Sequence, residues 1–126
     1  MTSIEAWLYK AKNDLKSALK LIEGDEPIMD TAIYHTQQCA EKALKGYLAF
    51  KGEPLKKTHD IELLVEICSA IDSEFEKLYD YSENLTPYAT AFRYPDIYLE
   101  PDYDEVCEAI GMAREILEFV ESKISA

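Results

Sequence analysis

The stretch AIYHTQQCAEKALKGYLAFK, Ala32 to Lys51, decides the fold. Its apolar and small residues fall into two helical series. One runs Ile33, Ala40, Leu44, Tyr47, and the other Ala32, Cys39, Ala43, Gly46, Phe50, with Thr36 in the remaining step. A surface helix needs one apolar stripe. Two stripes require neighbours on more than one side, which places this helix at the centre of a bundle. His35, Gln37, Gln38, Glu41, Lys42 and Lys45 lie between those stripes, so the central helix is also a place to look for chemistry.

Working outward, the first helix is expected from Ser3 to Ile22. Thr2 and Glu5 have capping-box spacing, and Ile4, Leu8, Ala11, Leu15, Ala18 and Ile22 form a four–three apolar repeat suited to antiparallel packing. Gly24-Asp25-Glu26-Pro27 turns the chain. After the central helix, Gly52 is placed as a C′ residue and Pro54 prevents continuation. Thr58 is the expected cap of a third helix with an inner stripe of Ile61, Leu64, Val65, Cys68 and Ile71. Ser73 and Glu76 repeat the capping-box spacing before Phe75, Leu78 and Tyr79.

Tyr81 to Pro101 breaks the pattern with three prolines and a lone Arg93 among acids. A short helical turn at 86–92 is expected, with Thr86 or Asn84 near its cap, then irregular chain. Such a stretch is long for a bundle connection and is either specifically packed or functional. The last helix starts near Asp102 and carries Val106, Ile110, Ala113, Leu117, Val120 and Ile124 inward, with Gly111 permitting close helix approach. The expectation is one all-α domain over residues 1–126. It is an up-and-down four-helix bundle with an additional short helical segment before the last helix.

Charge is unevenly placed. The total is −12, from 13 basic and 25 acidic residues. Residues 1–59 hold nine Lys against eight acids, a net of +1, and residues 60–126 hold four basic against 17 acidic residues, a net of −13. That balance disfavours broad nucleic-acid binding, which needs a basic face. Three causes of the acidity stay open: solubility, halotolerance, or an acidic surface for a basic partner. No uncharged run is long enough to cross a bilayer. The opening MTSIEAWLYKAKNDL has no signal-peptide pattern, so a cytoplasmic protein is expected. Cys39, Cys68 and Cys107 lack metal-site spacing and are expected as small buried hydrophobes, with no metal or cofactor.

Four pieces of the chain occur together and in order: WLYKAKNDLKSA, YHTQQCAEKALKGYLAFKG, THDIELL and FRYPD. This combination resembles the HEPN domain family and covers nearly the whole chain. The resemblance implies a helical bundle that pairs into dimers. It also implies a minimal nucleotidyltransferase as partner, in some cases as a toxin–antitoxin system. One branch of the family contains metal-independent endoribonucleases marked by Arg followed four to six positions later by His. Arg93 matches the Arg in character, but Ile97, Tyr98 and Leu99 stand four to six positions on, where the His would fall, and no His follows His59. A tyrosine with a reference pKa of about 10 is a poor substitute for imidazole at neutral pH.

The leading expectation is therefore a non-enzymatic dimeric module that associates with a minimal nucleotidyltransferase and binds nucleotide or phosphate. Its ligand candidates are Arg93, Lys42, Gln38, His59, Tyr94 and Asp96. Lys42 and Arg93 form a phosphate site only if their side chains converge, and Arg93 could instead be held by Asp96 or Glu100. The alternatives are an RNA-cleaving dimer using Arg93 with Tyr98, and an oligomerisation scaffold. Glu41 and Lys45 have the spacing of an ordinary helix ion pair. Gln37, on the inner stripe, needs a backbone or side-chain partner.

Overall fold

The computed structural model describes residues 1–95 and 99–125. These residues contain five α-helices and no strand: α1 Ser3–Leu21, α2 Met29–Phe50, α3 Ile61–Ile71, α4 Tyr79–Leu85 and α5 Tyr103–Ser125. Short 3-10 turns at Ser73–Leu78 and Thr86–Ala89 flank α4. The bundle is thus four principal helices plus a short helical run before the last. No helix of the described residues is long and apolar enough to cross a membrane.

Helix α2 is enclosed as its double stripe requires. Ala32, Ile33, Thr36, Cys39, Ala40, Ala43 and Leu44 are wholly buried, and only Phe50 of the two series reaches solvent. Helix α1 packs along one side and α5 along another, while α3 and the short segment close the rest. Gly46 lies close against α1, where a Cβ would stand 3.2 Å from Trp7 Cβ and 3.4 Å from Leu8 Cδ2. An aromatic chain joins α2 to α5 across the short segment. Tyr47 and Phe75 have centroids 4.3 Å apart, and Phe75 meets Phe119 edge-on at 5.0 Å.

Helix ends follow local chemistry. Thr2 Oγ1 accepts from Glu5 N at 3.1 Å. Gly52, at φ +73°, ends α2 in a Schellman arrangement: Gly52 N–H donates to Ala49 O and Glu53 N–H to Leu48 O. Asp102 Oδ1 accepts from Glu105 N at 2.8 Å.

Five expectations need correction. Asp60, not Thr58, caps α3, because its carboxylate reaches Leu63 N at 3.2 Å. Thr58 Oγ1 accepts from Asp60 N one step upstream. Thr86 begins the expected short turn, which ends at Ala89 rather than 92, but its side chain does not cap that turn. Helix α4 runs straight into that 3-10 turn, and Thr86 Oγ1 accepts from Ile61 N and Glu62 N, capping α3 from outside it. Ser73 is likewise not a cap, since Asp72 Oδ1 accepts from Glu74 N at 3.0 Å. Ile71 is exposed, because α3 ends there. Gly111 permits no close approach among the described residues: an added Cβ would meet none of their atoms within 4 Å.

The two helical glycines should therefore respond with opposite signs. Gly46→Leu is expected to destabilise by about 1–3 kcal/mol or more, because the added side chain drives α1 away from α2. Gly111→Ala is expected to stabilise by up to about 1 kcal/mol through helix propensity alone. Urea denaturation of both variants checks the pair.

Candidate functional site

Two polar constellations sit on α2. The first contains much of the motif that carried the family resemblance. Glu41 is 4% exposed, and its carboxylate collects four side chains. Lys45 Nζ donates to Oε2 at 2.9 Å. On Oε1 converge His59 Nδ1 at 2.8 Å, Gln37 Nε2 at 3.2 Å and Gln38 Nε2 at 3.4 Å. A carboxylate only accepts, so Nδ1 of His59 carries the proton. Gln37 Nε2 also donates to His59 O at 2.8 Å, and Gln38 Nε2 to Gln37 Oε1 at 2.7 Å.

Glu41 and Lys45 are therefore no ordinary surface pair; both are buried. Gln38, expected as a ligand contact, has its amide nitrogen engaged inside the network. His59 is tied by its backbone carbonyl and its ring to α2, while most of its imidazole surface faces solvent. The arrangement fastens the connection between α2 and α3 onto α2. Burial pushes the Glu41 carboxyl upward, but bonds from Lys45 and His59, the Lys45 charge and the Gln37 bond outweigh it. The group is left below its ordinary value near 4.5.

The second constellation surrounds Arg93. Its guanidinium carbon lies 4.3 Å from the centroid of the Tyr34 ring, a cation–π contact. Arg93, Phe92, Asp30, Thr31, Tyr34 and His35 line a hollow of about 280 Å³. A neighbouring hollow of about 430 Å³ shares Arg93, Phe92 and Asp30 and adds Tyr94, Leu99 and Glu100. Phe92 stacks on Tyr88 at 6.0 Å, and the Tyr88 hydroxyl donates to Glu105 at 2.8 Å. Burial, then that bond, pushes the Tyr88 phenol well above its ordinary value, so it stays a donor.

Among the described residues Arg93 makes no ion pair. Glu100 therefore does not hold it in this way. Asp96 and Tyr98 lie outside the described residues. Tyr94 is exposed and borders the second hollow. Lys42 lines neither hollow. Its Nζ is bonded to Asp14 Oδ2 at 2.7 Å, so it does not converge with Arg93 as a phosphate pair. The other oxygen of Asp14 lies 2.8 Å from His35 Nδ1.

Asp14, Tyr34 and His35 are the contributions that sequence spacing obscured. Asp14 lies on the inner side of α1 among lysines, where only the packing of α1 on α2 brings it to His35. The cysteines behave as expected at Cys39 and Cys68, whose thiols burial pushes up to about 12. Cys107 is only half-buried. No group of His, Cys, Asp and Glu suited to a metal occurs among the described residues.

A five-helix bundle with a polar knot on its central helix and an arginine stacked at its flank defines a small all-helical class of protein. The sequence model for the HEPN domain matches residues 4–123, and the chain belongs to the HEPN domain family. The crystal structure of ST0689, an archaeal HEPN homologue, is similar at 32% identity and a TM-score of 0.75, over 98% of this chain and 99% of that one. That of TT1696 from Thermus thermophilus is similar at 30% identity and a TM-score of 0.80, with the same coverage. No protein of curated description matches the chain.

Loss of the Glu41 charge tests the knot. Glu41→Gln leaves Lys45 buried without its counter-ion, and urea denaturation at neutral pH should show a loss of about 3–5 kcal/mol. Because the folded-state pKa is depressed, the ionised carboxylate stabilises above the unfolded-state value. That contribution fades as pH falls through the folded one. The gap between wild type and variant should accordingly narrow in acid below the ordinary glutamate range.

Proposed function

We propose that this chain is a homodimeric helical module that associates with a minimal nucleotidyltransferase and binds a nucleotide through its phosphate at Arg93. The observation that carries the ligand part is Arg93 itself: placed over the Tyr34 ring at 4.3 Å, bordering two hollows, and without an ion pair among the described residues. A guanidinium engaged by an aromatic ring and by no carboxylate among the described residues still has N–H donors for a phosphate. The aromatic surfaces of Tyr34, Phe92 and Tyr94 suit a base, which any aromatic ring can stack against. Asp30, also on the wall, already accepts from Thr31 N at 2.7 Å. The dimer and the nucleotidyltransferase are implied by membership in the HEPN family, and the acidic second half of the chain is suited to a basic partner surface.

A second reading, RNA cleavage, draws on one observation. His35 lines the hollow of Arg93 with Nδ1 held by Asp14, and its other nitrogen has no partner among the described residues. That supplies an oriented imidazole at a place other than the one the ribonuclease branch uses.

Calorimetry with a nucleoside triphosphate decides between them together with a cleavage assay. Arg93→Ala should weaken nucleotide binding at least tenfold while leaving the thermal midpoint unchanged, since Arg93 is exposed. Purified protein should not cleave RNA. Cleavage lost in both Arg93→Ala and His35→Ala would establish the second reading instead. Co-expression with a minimal nucleotidyltransferase encoded beside the gene should yield a complex on size exclusion.

A further inference from the structure

A third hollow, of about 440 Å³, lies at the other end of α2, between the start of α1 and the chain that follows Gly52. Trp7, Leu48, Ala49, Pro54 and Leu55 contribute its apolar wall, and Lys45 and Lys56 its cations. This is a size and composition suited to a small ligand. The decisive feature is Lys45. It is 8% exposed, yet among the described residues its ammonium donates to one oxygen, Glu41 Oε2, and lies 5.7 Å from the centroid of the Trp7 ring. An ammonium has three N–H donors. One goes to Glu41 and the indole face takes part of the rest, leaving donor capacity on a buried cation that lines the hollow. The Glu41 carboxylate does not depend on Lys45 alone, because His59, Gln37 and Gln38 also donate to it.

We infer that this hollow binds a small apolar monoanion, an aromatic or branched-chain monocarboxylate, with its carboxylate on Lys45 and its body against Trp7. Two cations offset by two carboxylates leave no excess positive charge for a dianion, so a single negative group with an apolar body fits best. Lys45 and Lys56 face it, but Glu41 stands directly behind Lys45, and Glu53 is on the rim. A phosphate dianion would meet those two carboxylates without the apolar contact that compensates. The site is separate in residues and in ligand chemistry from the hollow at Arg93, and it does not rest on the nucleotide reading.

Trp7 is the chain's single tryptophan, so its emission reports this hollow alone. The full chain is titrated with 8-anilinonaphthalene-1-sulfonate, an aromatic monoanion, and then with phenylacetate and with inorganic phosphate as competitors. The expected result is saturable one-to-one quenching of Trp7 with energy transfer to the probe, reversed by phenylacetate and not by phosphate. Ala49→Phe, which fills the hollow, should weaken probe binding at least tenfold. Should Ala49→Phe not fold, Lys56→Ala and Leu55→Ser on the exposed rim should each weaken it severalfold, with circular dichroism unchanged. Probe binding without Trp7 quenching, or quenching indifferent to all three variants, would overturn the inference. So would Trp7 emission that shifts with protein concentration and excludes the probe, since a second copy would then cover the hollow. Arg93→Ala should leave the titration unchanged.

Discussion

A single buried carboxylate holds this molecule in register. Removing Glu41 from water is costly, and only a full set of donors makes the position tolerable. Those donors come from three places: Lys45 one turn along α2, Gln37 and Gln38 one turn back, and His59 from the connection that precedes α3. The connection must therefore return to α2 at one point. That fixes where Asp60 and Thr86 can cap α3, and through Thr86 it fixes the short helical run before α5. The family-like pieces of sequence around Glu41 and Thr58-His59-Asp60, distant in the chain, meet in one partly buried contact.

The bundle was legible because its period was. The double stripe on α2 but for Phe50, and all of the α5 repeat but Ile124, are buried as their period requires, whereas on α1 only Ala11 and Ala18 of the repeat are fully buried and Ile4, Leu8, Leu15 and Ile22 are half-buried. The short-range features were less so. Thr58, Asp60, Ser73 and Asp72 are all competent caps, and the choice between neighbours depends on which oxygen the tertiary packing brings to the free N–H. Thr86 could not be assigned from local spacing, because the amides it accepts from lie 24 and 25 residues away. Gly111 shows the limit from the other side: a helical glycine suggests contact, yet the space beside it is open.

The site was legible at Arg93 and not around it. A lone arginine in acidic, aromatic chain stands out by composition. Its platform, Tyr34, looked like an undistinguished helix residue, and Lys42 looked available until α1 delivered Asp14 to it. Spacing along one helix cannot reveal a partner supplied by another. The same limit hid the character of Glu41 and Lys45, whose i,i+4 pattern is identical on a wet face and in a core; only enclosure separates a marginal pair from an indispensable one.

Helix α2 is unbroken from Met29 to Phe50, and it carries His35 near one hollow and Ala49 at the other. At a rise of about 1.5 Å per residue the two positions stand about 20 Å apart along a rod clamped on every side. The rod acts as a ruler. The indole at one end and a fluorescent nucleotide at the other would be separated by a fixed distance, well placed for optical ranging between the two ends of the molecule.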